Sequence, residues 1–308
     1  MIVRPDLDPK IVIKYTWRRI VSLLVVAAAV AYIHEYLGFE QVGVDTTLST
    51  VLGTALAILL GFRVTSAYDR WWEARRLWGA ITNDSRTMAR QLTTFLWYKR
   101  REKDGQHREE QDSYVRRMVY RQIGFTYALK NHLRRLEIFE ELRPFVGEAE
   151  LAWLRSQRHV PNALLQKQAQ CLQEIEEKGY LGDFRHVQME TRLSLLCDSM
   201  GGCERIKNTV FPRQYSVFST GFVTVYSYLL PFVLVGKIGW VTIPATLVIG
   251  FLFYALDSIA KGIENPFENR FDDTPMSSIC RTIEINLRQQ LGETELPEPV
   301  ALVNGFLF

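Results

Sequence analysis

The densest set of metal-type ligands in the chain is Glu264-Asn265-Pro266-Phe267-Glu268-Asn269-Arg270-Phe271-Asp272-Asp273-Thr274-Pro275. Oxygen donors gathered on a Pro-containing turn suit a hard cation such as Ca²⁺. The EF-hand spacing is absent. An Asp just ahead of a helix more simply accepts the first backbone N–H groups of that helix. The spacing therefore favours Asp272 or Asp273 as a cap before Met276 over a cation site. The five histidines (His34, His107, His132, His159, His186) are scattered along the chain, with no evident metal partner for any of them. Cys171, Cys197, Cys203 and Cys280 form no CxxC and read as free thiols in a reducing compartment. No Walker loop, GxSxG, HExxH or Rossmann glycine pattern occurs. The sequence therefore supports neither an enzyme nor a bound cofactor.

A second set of residues could act on ions through shape rather than ligation. In STVLGTALAILLGFRVTSAYDRWWEARRLWG, residues 49–79, the first half is uncharged and the second is dense in Arg, Asp, Glu and Trp. Residues four apart share a helix face. Ser49, Gly53, Ala57 and Gly61 form a small stripe, and Leu48, Leu52, Leu56 and Leu60 a leucine stripe. Thr50, Thr54, Ile58 and Phe62 grade from hydroxyl to bulky apolar. Small stripes let helices approach closely in membranes. A symmetric oligomer could bring copies of the graded face around an axis and make a narrow apolar pore. Periodicity alone favours a plain helix packed inside its own subunit.

These residues need elements to hold them. The mean hydropathy of −0.05 hides two populations. Several long stretches carry no charge, whereas 63–208 is rich in Arg, Glu, Gln and Lys. That split predicts an all-α protein with membrane spans and a sizeable water-facing part. The net charge of +3 is too small to imply nucleic acid, and no nucleic-acid module is present. The predicted organisation is a cytosolic N-terminal arm (1–17), transmembrane helices 1 and 2 (18–62), a cytosolic helical domain (63–208), transmembrane helices 3 and 4 (209–257) and a cytosolic C-terminal segment (258–308). Residues 20–33 with Arg18-Arg19 ahead of them also fit a signal peptide, but a second span follows at once, which favours a membrane helix. The loop 35–45 holds Glu35, Glu40 and Asp45 and no Lys or Arg, so it faces outward and both termini are cytoplasmic. Gly236-Lys237-Ile238-Gly239 makes a tight hairpin between the last two spans.

Within the water-facing part, the second span is expected to continue as a helix to about Lys99. An exposed loop over 99–112, an amphipathic helix over 113–142 and a short helix over 148–155 follow. Pro161 opens a helix through Lys178 with Gly179 at its end. Residues 184–208 are expected to be helical with an interruption at Gly201-Gly202.

The run LGFRVTSAYDRWWEARRLWG (60–79) resembles the bestrophin ion channels, in particular their prokaryotic members. Gly202-Cys203-Glu204-Arg205-Ile206 agrees as well. So do Glu264-Asn265-Pro266-Phe267 with Asp273, Pro275 and Cys280. Together these stretches cover nearly the whole chain in order, from Arg18-Arg19 to about Leu291.

The resemblance implies a homopentamer in the cell membrane, the inner membrane if bacterial, with one axial pore for small monovalent ions. Matched by position, the hydrophobic neck falls on Thr54, Ile58 and Phe62, where Thr54 departs from the usual bulky apolar residue. A cytosolic constriction falls at Phe184. Family members with a Ca²⁺ clasp use positions that align with Asn265 and Asp273, next to Asp272. Here Arg270 stands where a carboxylate ligand is expected, and Gly262 where a Gln is expected, so a working clasp is not expected. The abundance of basic side chains on the cytosolic helices favours anions such as chloride. The alternatives are a cation-selective channel of the same architecture or a membrane-anchored interaction protein. The implied partners are further copies of the chain, membrane lipid and the permeant ions.

Overall fold

The computed structural model describes residues 9–38, 46–100, 105–209, 213–303 and 305–307. Ten α-helices cover most of them: α1 (Pro9–Glu35), α2 (Thr46–Arg100), α3 (Gly105–Arg134), α4 (Phe139–Leu142), α5 (Glu148–Arg155), α6 (Val160–Glu177), α7 (Asp183–Asn208), α8 (Arg213–Ile238), α9 (Thr242–Ile263) and α10 (Met276–Gln290). Among the described residues there is no strand, only an isolated bridge between Val303 and Phe306. The chain divides into two compact units, and α2 contributes to both.

The apolar unit holds α1, the first part of α2, α8 and α9. Three segments are long and apolar enough to cross a membrane: Thr16–Glu35, Ser49–Leu96 and Ser216–Ile263. The last contains α8 and α9, which pack on each other and on α1. A single 3₁₀ turn, Gly239–Val241, joins them. Gly239 has φ of +51°, and a Cβ there would sit 2.8 Å from Glu35 Oε1. Glycine thus allows both the left-handed backbone and the close seating of the turn against the end of α1. Leu23, Leu56, Leu60, Val223 and Tyr254 form the buried cluster of this unit. Lipid tails are as apolar as leucine, so close packing rather than water exclusion has to hold such helices together. Small residues serve that end: a Cβ on Gly53 would collide with the Tyr226 ring, and one on Gly250 with Leu23.

The polar unit holds the remainder of α2, α3 to α7 and α10. α3 lies at its centre and packs against α6, α7 and α10. Trp78, Ile81, Met118, Ile123, Leu196 and Ile283 belong to one continuous buried cluster. Water exclusion is the main drive here, at about 25 cal/mol per Å² of apolar surface. α6 begins and ends as its sequence dictates. Pro161 occupies the first turn, and His159 caps it by accepting the Asn162 N–H at 3.2 Å. Gly179 closes it at φ of +70°.

Four expectations need correction. The stretch 105–112 is helical rather than loop, because α3 starts at Gly105; residues 101–104 lie outside the described residues. The helix expected over 113–142 ends at Arg134, where Arg135 adopts φ of +57° and Asn131 turns its side chain to the Glu137 carbonyl at 3.0 Å. Gly201-Gly202 does not interrupt α7, because Gly202 makes room for Leu77, whose Cδ1 would be 2.9 Å from a Cβ. Residues 9–17, read as part of the N-terminal arm, are the first turns of α1. Residues 1–8 and 39–45 lie outside the described residues.

Candidate functional site: the exposed row on α2 and the buried charges behind it

Thr54, Ile58 and Phe62 follow one another a turn apart on α2, and all three point out of the subunit. Ile58 is 55% and Phe62 65% exposed, and Thr54 is exposed as well. The Thr54 hydroxyl donates to the Thr50 carbonyl at 2.9 Å. Its proton is therefore engaged within the helix. The opposite side of the helix is bound to the rest of the unit through Leu56, Leu60 and Arg63, all buried. The leucine stripe divides: Leu56 and Leu60 pack inside the subunit, whereas Leu52 remains 43% exposed.

Directly behind Phe62, the fully buried Arg63 anchors α2. Its Nη1 donates to Asp257 Oδ1 of α9 at 2.5 Å, and its Nη2 donates to Ser216 Oγ of α8 at 2.7 Å. Glu264 Oε2 lies 3.5 Å from Nη2. Asp257 is also buried. It accepts from Thr220 Oγ1 at 3.0 Å and Lys261 Nζ at 2.9 Å, and Arg19 of α1 lies 3.5 Å away. All four helices of the unit thereby meet at one set of charges. Buried charges persist only when paired and hydrogen-bonded.

Sequence reasoning missed this network. It set boundaries at Arg63, where the water-facing part begins, and at Asp257, where the last span ends, and gave neither residue a partner. The signal was present, since each closes an uncharged run and the two carry opposite sign. Their separation of 194 residues lies beyond any periodicity.

The other candidate residues belong to other elements of the chain. Phe184 stands in the first turn of α7, 91% exposed, with the exposed Val187 one turn on. Of the acidic cluster, Asn265 is exposed and Asp272 half-buried, while Asp273 is buried. The capping expectation is corrected: α10 is preceded by Pro275 and receives no side-chain cap. Asp273 instead ties its own turn, accepting the Arg270 N–H through Oδ2 at 3.0 Å. Its Oδ1 is buried with no hydrogen-bond partner among the described residues. Burial, reinforced by the neighbouring Asp273, pushes the Asp272 carboxyl up to about 6. Burial likewise raises that of Asp273.

Long apolar helices sealed by a buried ion network at their ends define a helical membrane protein. The chain belongs to the bacterial/fungal bestrophin family, whose model matches residues 10–289. It is 30% identical over 264 residues to the voltage-dependent anion channel-forming protein YneE of Escherichia coli K12, covering 85% of this chain and 83% of that one. It is 32% identical over 260 residues to the voltage-dependent anion channel-forming protein RSc3414 of Ralstonia nicotianae, covering 84% and 82%. The crystal structure of a bacterial bestrophin homologue from Klebsiella pneumoniae superimposes with a TM-score of 0.81 at 29% identity, over 90% of this chain and 98% of that one. The family resemblance read from residues 60–79 is thereby established.

Proposed function

We propose that the protein is a channel for small anions, formed by five copies around one axis, with Thr54, Ile58 and Phe62 lining its neck. The observation that carries this reading is the exposed row on α2. A helix packed inside its own subunit would bury these side chains, yet Ile58 and Phe62 are more than half exposed while Leu56, Leu60 and Arg63 hold the opposite face. Rings of Ile58 and Phe62 would exclude water from a narrow pore and gate it by dewetting. The Thr54 ring would be wider and wetter. Phe184 on α7 is read as the cytosolic constriction. α1, α2, α8 and α9 are read as four spans of the cell membrane, with both termini in the cytoplasm. The anion assignment leans on the names of the relatives, which are anion channel-forming proteins.

Asn265, Asp272 and Asp273 are read as a degenerate Ca²⁺ clasp. Arg270 brings a cation to the position of a ligand, and one oxygen of the Asp273 carboxylate, Oδ2, is committed to the backbone of its own turn.

The decisive experiment is flux from liposomes holding the purified protein. Chloride efflux above that of empty vesicles, with a reversal potential following the anion gradient in asymmetric salt, supports the reading. A reversal potential that follows the cation gradient replaces it with a cation channel of the same architecture. No flux at all leaves a membrane-anchored interaction protein.

A further inference from the structure

Three elements of the polar unit bring His132, His159 and Glu204 together. His132 lies on α3, His159 is the residue capping α6, and Glu204 lies on α7. One potential ligand atom from each lies within 4.8 Å of the others. His159 Nε2 is 2.6 Å from Glu204 Oε1, His132 Nε2 is 3.6 Å from the same oxygen, and the two imidazole rings are 4.6 Å apart. All three side chains are half-buried. His132 and Glu204 line a cavity of about 430 Å³ together with Leu133, Arg135, Ile138 and Lys207.

We propose that His132, His159 and Glu204 form a binding site for a divalent transition metal, Zn²⁺ in the first instance, whose fourth position opens into this cavity. Two imidazoles and one carboxylate are a borderline-soft donor set that holds Zn²⁺ with one position left for water or an anion. Zinc bonds of about 2.0 Å put tetrahedral ligand atoms roughly 3.3 Å apart. The His159–Glu204 pair at 2.6 Å opens by about 0.7 Å to reach that spacing, the His132–Glu204 pair at 3.6 Å closes by about 0.3 Å, and the two histidine nitrogens, within 4.8 Å of each other, close by about 1.5 Å at most. Lys207 does not oppose the ion with a free charge, because its Nζ is paired with Glu268 Oε1 at 2.6 Å. Arg135 remains as a cation on the wall. It favours an anion rather than neutral water at the fourth position.

The site has a distinctive proton ledger. Without metal, His159 Nδ1 accepts the Asn162 N–H at 3.2 Å, so Nε2 carries the proton and donates it to Glu204. Metal capture needs the Nε2 lone pair. The ring proton then moves to Nδ1, no proton is released from the ring, and the α6 cap is given up. Binding thus rewires the start of α6 as well as joining three helices.

The test is a titration of the purified full-length protein, stripped with a chelator, with Zn²⁺ alone by calorimetry and with Co²⁺ alone by visible absorption. The expected result is one ion per chain, with the intense bands of four-coordinate cobalt. His132→Ala and His159→Ala should each weaken binding by about a hundredfold or more, since even outer-shell changes cost 10–100-fold. Glu204→Gln should do the same. His186→Ala, beside Glu176 on the same unit, should leave binding intact and controls for other histidine–carboxylate pairs. Thermal unfolding of each variant without metal separates loss of fold from loss of ligand. Zn²⁺ should raise the Tm of the native chain but not of a folded His132→Ala variant. No binding by the native protein, or unchanged stoichiometry and affinity in folded His132→Ala and His159→Ala variants, overturns the proposal. None of these readouts depends on channel activity.

Discussion

Arg63 on α2 and Asp257 on α9 form a buried ion pair, Nη1 to Oδ1, at 2.5 Å. The two partners are not equally protected. Asp257 keeps Lys261 at 2.9 Å and Arg19 at 3.5 Å if Arg63 is lost. Among the described residues, Arg63 keeps only Ser216 and the more distant Glu264, at 3.5 Å, if Asp257 is lost. Lys261 and Arg19 are each about two-fifths exposed and can turn toward water, whereas Arg63 cannot.

Asp257→Asn is therefore expected to destabilise more than Arg63→Met. Removing one partner of a buried pair costs about 3–5 kcal/mol. Asp257→Asn should fall in that range and Arg63→Met below it. The double variant should cost less than the sum of the two, because no buried charge is then left unpaired. Unfolding of the detergent-solubilised protein, run as a double-mutant cycle, measures this. Additive costs would mean that the two side chains are not energetically coupled.

The same pair marks the limit of what could be read from the chain alone. α5 was legible at its residue bounds, and α6 to within a residue or two. Their signals are local: Pro161 at the first turn, Gly179 beyond the last, and apolar residues at helical spacing. The break at Arg135 was not legible, because a non-glycine residue with positive φ is imposed by surrounding contacts rather than by its own preference. Gly201-Gly202 misled in the opposite sense. Glycine weakens a helix, but here the missing Cβ is needed for Leu77 to fit. At the candidate site, periodicity gave the stripe of Thr54, Ile58 and Phe62 but could not say which stripe faces outward. The buried charges at Arg63 and Asp257 decide that, and they are joined only by the tertiary fold.

If the row on α2 lines the neck, trimming it should ease wetting. Ile58→Ala and Phe62→Ala are each expected to raise conductance, by about tenfold for every 1.4 kcal/mol removed from the barrier. Thr54→Leu should lower it by restoring a bulky apolar ring. Planar-bilayer recordings of the three variants check this. Unchanged conductance in both alanine variants would remove this row from the pore.

The four cysteines should separate by reactivity. Thiolate is the reactive form, and burial disfavours it. Cys203 and Cys280 are buried, and burial pushes both thiols up to about 12, so at pH 8 almost none is ionised. Cys197 is exposed. Alkylation at pH 8 followed by mass spectrometry should label Cys197 alone in the folded protein, with Cys171, Cys203 and Cys280 labelled only after denaturation. Raising the pH toward 10 should still leave Cys203 and Cys280 unmodified while the fold persists. Early labelling of Cys280 would mean that α10 detaches from α3, where the Cys280 thiol donates to the Thr126 carbonyl at 3.3 Å.

The adjacent glycines of α7 should respond in opposite directions. A Cβ on Gly201 meets nothing within 4 Å, whereas one on Gly202 meets Leu77 Cδ1 at 2.9 Å and Cδ2 at 3.0 Å. Both residues sit inside a continuous helix, so both weaken it relative to alanine. Gly201→Ala should therefore stabilise by about 0.5–1 kcal/mol, through the lower entropy of the unfolded chain and better helix propensity. Gly202→Val should destabilise by about 1–3 kcal/mol, because the added methyls must displace Leu77 from the core it packs against. Leu77→Ala in the Gly202→Val background should recover part of that loss by returning the space, which identifies overpacking as the cause. Thermal unfolding of these three variants beside the native protein measures the series. Equal effects at 201 and 202 would show that the close approach of Leu77 does not set the identity of residue 202.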